Sequence, residues 1–122
     1  MRHTFTKIFC FSASVESHGR VTGHNYKLGV TVDDLEESVE SRFEAALQKS
    51  LIDKIHSRDL GADVDFLKGK DLNDKTLLEA FGGVIQKIIA PLSLRSLTLE
   101  RDERTIRTLT FLPEFPKTTH DW

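Results

Sequence analysis

Two segments near the start of the chain alternate apolar and polar residues with a period of two, which commits that part of the molecule to β-structure. Over residues 4–15, Phe5, Phe9, Phe11, Ala13 and Val15 share one face, while Thr4, Thr6, Ser12 and Ser14 occupy mainly the other. Over residues 22–32, Thr22, His24, Tyr26, Leu28, Val30 and Val32 face one way and Asn25, Lys27 and Thr31 the other. Successive side chains of a strand point to opposite faces, so each segment predicts a strand with one buried side. Glu16 to Val21 reads as the connecting loop, with Gly19 helping it turn.

The pattern then changes period. Asp33 or Asp34 supplies a candidate N-cap, and Glu36 and Glu37 suit the positive end of a helix dipole. Leu35, Val39, Phe43, Ala46, Leu47 and Ile52 recur at three- and four-residue spacing and predict an amphipathic helix. Residues 56–72 read as irregular, broken by Gly61 and Gly69. A second helix starts near Asn73 or Asp74, carries Leu77, Leu78, Phe81, Val84, Ile85, Ile88 and Ile89 on a broad apolar face, and stops at Pro91. Gly82 and Gly83 in its middle cost about 1 kcal/mol each relative to alanine, which points to close packing or to a kink. Strands over 92–101 and 104–112, joined by a tight Asp102-Glu103 turn, precede a loose tail with Pro113 and Pro116 that ends at Trp122. The order β-β-α-α-β-β predicts a single α+β domain over 1–122, with two helices covering one face of a four-stranded antiparallel sheet.

Charge and composition narrow the function classes. Seventeen basic residues against 19 acidic ones leave a formal charge of −2 with no basic stripe, so nucleic acid is not an expected partner. The apolar runs are too short to span a membrane, and the first residues lack the apolar core of a signal peptide. Cys10 is the single cysteine, which precludes an intrachain disulfide and makes a reducing cytoplasm the expected location. Its place in the apolar run Ile8–Phe11 predicts a buried structural thiol.

Two motifs carry more. Phe11-Ser12-Ala13-Ser14-Val15 and Thr22-Gly23-His24-Asn25-Tyr26 resemble the first- and second-strand motifs of the 6-pyruvoyltetrahydropterin synthase / 6-carboxytetrahydropterin synthase family. Its members typically carry Phe-Ser-Ala-Ser/Ala-His and His-Gly-His-Asn-Tyr, whose three histidines hold zinc. The resemblance implies the tunnelling fold, a pterin-like small-molecule ligand, lyase-type chemistry and a homo-oligomer, a trimer or a stack of two trimers. Side-by-side closure into barrels would also protect the edge strands.

The resemblance also implies where the site residues lie. The three zinc positions fall on Val15, Thr22 and His24, so one imidazole is left, and zinc is not expected to be held. A second reading has His18 folding back from its loop to give a two-histidine metal site. His18 also lies four residues before Thr22, near the family's catalytic cysteine position, and is a candidate proton shuttle. His56, in Ile55-His56-Ser57-Arg58-Asp59, falls on the catalytic histidine, with Ile55 where the family has its supporting aspartate. Glu100, in Leu99-Glu100-Arg101, falls on the carboxylate that receives the pterin's amino group and ring N–H through paired hydrogen bonds.

Two functions follow. One is a divergent synthase relative that binds a pterin or related heterocycle and acts on a dihydroneopterin-type side chain through His56 and His18. The other is a non-catalytic ligand-binding or scaffold protein that kept the fold and lost the zinc-dependent reaction.

Overall fold

The two alternating segments pair with each other along their full lengths. In the computed structural model, which describes residues 3–111, β1 (Thr4–Ser17) and β2 (Arg20–Asp33) form an antiparallel hairpin from Thr4↔Asp33 to Ser17↔Arg20. The expected loop from Glu16 to Val21 is therefore strand, and the turn contracts to His18-Gly19, both at positive φ (52° and 76°). Gly19 accepts that conformation without Cβ strain.

Helix α1 (Glu37–Leu47) begins after the expected caps, at Glu36, with no side-chain cap. The expected cap Asp33 instead ends β2 and receives two hydrogen bonds from the Arg95 guanidinium, at 2.7 and 3.1 Å. Asp34 donates its N–H to the His3 carbonyl. The helix runs on through a π-helical segment, Gln48–Ile52, into the short α2 (Asp53–Ile55).

The stretch expected to be irregular holds β3 (Arg58–Asp59), α3 (Leu60–Asp63) and a 3-10 turn, Asp65–Leu67. Asp59 caps α3 by accepting from the N–H groups of Gly61 and Ala62. Helix α4 (Asp74–Ile89) starts where expected, with the Asn73 side chain accepting from Thr76 N–H at 2.9 Å.

Strands β4 (Leu94–Arg101) and β5 (Thr105–Thr110) are shorter than their sequence patterns. Leu92 still donates back to Ile89 O, and Gln86 holds Leu92 O and Leu94 N–H, which delays β4. Asp102 and Glu103 form the tight turn, at φ 54° and 60°, with Arg104 N–H bonded to Arg101 O. The tail beyond residue 111 lies outside the described residues.

The sheet order is β3-β1-β2-β4-β5. The expected four antiparallel strands are present, and β3 adds a fifth that runs parallel to β1 at Ala13↔Arg58 and Ser14↔Asp59. The expectation failed here because two residues carry no periodicity. One face of the sheet and the helices share a core that includes Phe9, Phe11, Leu28, Val30, Leu47, Ile55, Phe81 and Leu97. Gly82 sits where α4 meets that core. A Cβ there would lie 2.8 Å from Phe111 Cζ and 3.6 Å from Leu97 Cδ1, and the helix continues unbroken through the glycine pair. Close packing is thus the reason for Gly82.

Among the described residues, no helix packs across the middle of the other face of the sheet, called the open face below. Cys10 lies on it and is exposed, contrary to its expected burial, because Phe9 and Phe11 take the core-facing positions on either side.

Candidate functional site

The β1–β2 hairpin extends past its neighbour. Pairing between β2 and β4 ends at Tyr26↔Arg101, so the hairpin end beyond that row projects past β4 and walls a cleft with the start of α4. Val15 and Thr22 are direct cross-strand partners, and His24 is next along the same face. All three line this cleft of about 570 Å³, together with Arg101 and Arg107.

The three positions implied for zinc are thus together in space, but their donors do not fit the ion. Val15 has none. Thr22 Oγ1 is 2.9 Å from His24 Nε2, and His24 Nδ1 is 2.6 Å from Asp102 Oδ2, so both ring nitrogens are already hydrogen-bonded. A single occupied imidazole and a neutral hydroxyl fall short of three protein ligands.

Asp102 was not visible as a partner in the sequence, since 78 residues separate it from His24. The hairpin turn brings it there: Asn25 N–H donates to Asp102 Oδ1 at 2.8 Å, and Asp102 N–H donates to Asn25 O at 2.7 Å. The Asn25 N–H bond, then the His24 bond, hold the Asp102 carboxyl below its ordinary pKa. Beside them Tyr26 is buried, stacked on Phe11 with centroids 5.0 Å apart. Burial, and then the Asp74 charge, push its hydroxyl up to about 12. Asp74, the first residue of α4, is buried against Arg101 Nε at 3.3 Å, with Arg107 Nε at 3.8 Å.

A second concavity lies on the open face. Cys10, Lys27, Glu100 and Ile106 form one row across β1, β2, β4 and β5. Glu100 is 25% exposed, and Lys27 Nζ is 3.6 Å from its Oε2. His56 reaches this hollow from the end of α2. There the chain turns at Ser57 (φ 61°) and pairs with the outer edge of β1: Ser57 N–H donates to Ser12 O at 2.6 Å, and Ser12 N–H donates to His56 Nδ1 at 3.1 Å. That bond makes Nδ1 the acceptor, so the proton of neutral His56 sits on Nε2. His56 and Glu100, distant in sequence, line one hollow of about 270 Å³ with Cys10, Ser12, Asn25 and Lys27 among its walls.

Neither nearby aspartate bonds to His56. Asp53 accepts from Gln48, and Asp59 accepts from Ser14 Oγ and caps α3.

The sequence-predicted residues therefore separate into three places. His24 shares the helix-side face with Tyr26, while Glu100 shares the open face with Lys27, so the two project from opposite faces of the sheet. His18 is at the hairpin tip, six residues from His24, or about 20 Å along an extended strand. With Glu16 and Ser17 paired to Val21 and Arg20, the turn is only His18-Gly19, too short to fold His18 back onto His24.

No protein-family model matches the chain, and no curated protein matches it in sequence. In structure it is similar to the 6-pyruvoyl tetrahydropterin synthase of Caenorhabditis elegans, with a TM-score of 0.76 over 92% of this chain and 99% of that one. The identity is 17%, so the likeness establishes the pterin-synthase-like fold and leaves the activity to the site residues. Among the described residues, no helix is long and apolar enough to cross a membrane.

Proposed function

We propose that this chain binds a pterin or a related heterocycle in the open-face concavity and does not carry out zinc-dependent pterin synthesis. The observation that carries the reading is the convergence of Glu100 and His56 on one hollow. A carboxylate there can accept two parallel N–H bonds from an amino-pyrimidine edge, which are charge-assisted and directional. Lys27 Nζ, 3.6 Å from Glu100 Oε2, offers its own N–H groups to a ring carbonyl. His56 Nε2–H adds a donor.

The synthase reaction needs a metal to stabilise a carbanion-like state, which supplies several kcal/mol of charge stabilisation. When bound, zinc would polarise the side-chain oxygens of the substrate. Val15, Thr22 and the doubly bonded His24 do not suit it. Turnover of a dihydroneopterin-type side chain is the second reading, favoured by His56 in the same hollow. For His56 to accept a proton through Nδ1, its bond from Ser12 N–H must first be given up.

We further propose a homo-oligomer, a trimer or two stacked trimers. Beyond the short β3, the outer edge of β1 pairs with no strand among the described residues, and neither does the outer edge of β5. Ile8 and Ile106, on those two strands, are 61% and 63% exposed. Open edges of this kind promote uncontrolled association unless a partner covers them.

A neopterin titration with and without a chelator tests the function. Saturable binding unaffected by chelator supports it. Binding lost on chelation points to a metal-dependent site, and no binding at all favours the scaffold.

A further inference from the structure

The cleft on the helix side of the sheet holds an arrangement that pterin binding does not use. Thr22 Oγ1, His24 and Asp102 form a continuous hydrogen-bonded chain, with 2.9 Å from hydroxyl to Nε2 and 2.6 Å from Nδ1 to carboxylate. For the neutral imidazole one set of directions satisfies both bonds. Asp102 is acceptor-only, so Nδ1 carries the proton, and Nε2 is then the acceptor for the Thr22 hydroxyl. Asp102 is itself oriented by Asn25 N–H at 2.8 Å. A hydroxyl on a base whose far nitrogen is held by an oriented carboxylate is the grouping that activates hydroxyl nucleophiles, and it is recognised by geometry rather than by sequence order.

We propose that Thr22, His24 and Asp102 form a nucleophilic relay that hydrolyses small carboxylic esters carrying an anionic group. Thr22 is exposed, while the His24 side chain is 16% exposed, so the hydroxyl is reachable and the base is sheltered. The cleft offers the complementary charge. Arg101, Arg107 and Lys75 line it, against Asp71 and the buried Asp74. Arg107 is about half exposed and only loosely held by Asp74, at 3.8 Å, which leaves it able to meet a substrate carboxylate. The same cations oppose the negative charge that develops on the carbonyl oxygen.

The step balances as follows. Thr22 Oγ attacks the ester carbonyl carbon as its proton passes to His24 Nε2, and the carbonyl π pair moves to oxygen. As that oxygen re-forms the double bond, the C–O bond to the alcohol breaks, and His24 gives its proton to the departing alkoxide. Water then attacks the acyl-Thr22 carbonyl carbon with His24 again taking the proton; as the double bond re-forms, the acyl C–Oγ bond breaks, His24 returns its proton to Thr22 Oγ, and the carboxylic acid leaves. Asp102 stays ionised throughout and steadies the imidazolium.

The inference does not rest on pterin binding, because none of Thr22, His24 and Asp102 lines the hollow that holds Glu100 and His56. Its test uses the full chain with p-nitrophenyl acetate and mono-p-nitrophenyl succinate, and follows nitrophenolate release. The expected result is saturable hydrolysis, faster with the succinate, and reduced about 100-fold or more by Thr22→Val and by Asp102→Asn. Asparagine keeps an acceptor for Asn25 N–H and tolerates the left-handed turn, so Asp102→Asn tests the relay without removing the hairpin. Peptide mass mapping after rapid acid quench should find the acyl group on Thr22. A parent rate equal to that of Thr22→Val, or an acyl group on another residue, overturns the proposal.

Discussion

If two substitutions separate this cleft from a zinc site, reversing them should create one. The perturbation is Val15→His combined with Thr22→His in the His24 background. The register supports convergence: positions 15 and 22 are direct cross-strand partners, and 24 follows 22 on the same face. Directly opposed residues have Cβ atoms about 5 Å apart, and i, i+2 neighbours lie about 6.6 Å apart, so three imidazoles can reach one ion. Val15 is 7% exposed, and giving up its burial for an imidazole costs about 2 kcal/mol. Losing the Thr22–His24 bond adds about 1 kcal/mol. At roughly 4 °C per kcal/mol for a chain of this length, the metal-free variant should melt about 12 °C below the parent. Zinc at 100 times its dissociation constant returns about 2.7 kcal/mol, most of the loss. Thermal melts with and without zinc, paired with elemental analysis, read both quantities. A parent that already carries one zinc per chain refutes the reasoning, as does a folded double variant that takes up none.

Three further outcomes follow from the fold. Gly82→Val should destabilise by about 1–3 kcal/mol through overpacking against Phe111 and Leu97, read by denaturant melts, whereas Gly83→Ala, which meets nothing within 4 Å, should be neutral or stabilising. Asn73→Ala should cost about 1 kcal/mol by removing the bond to Thr76 N–H, and Asn73→Asp should restore it; equal melts for all three would show that the cap is idle. Sedimentation at micromolar concentration should find a trimer or hexamer, and a monomer would contradict the reading of the open strand edges.

Much of the frame was legible because it is set by local period. The core faces of β1 and β2, the stop of α4 at Pro91 and the Asn73 cap all follow from spacing along one segment. The exposure of Cys10 follows from the same alternation, since its neighbours Phe9 and Phe11 hold the core-facing positions. What stayed hidden depends on pairing between distant segments. That Glu100 faces away from His24 follows from Lys27↔Glu100 and Tyr26↔Arg101, a register that no local pattern sets. Asp102 reaches His24 only because the β4–β5 turn packs against Asn25. The length of the hairpin tip was missed because Glu16, Ser17 and Arg20 project beyond the core and carry no burial signal.

Glu100→Gln is the most direct test of the central claim, that an exposed-face carboxylate anchors a pterin-like ring. Glutamine keeps the shape but replaces one acceptor with a donor, which meets the ligand N–H head-on and leaves polar groups unpaired at a cost of about 1–3 kcal/mol. Titrated side by side with neopterin, the parent should bind and the variant should bind at least tenfold more weakly, with a melting temperature within about 2 °C of the parent. Equal affinities, or no binding to the parent, would contradict the account.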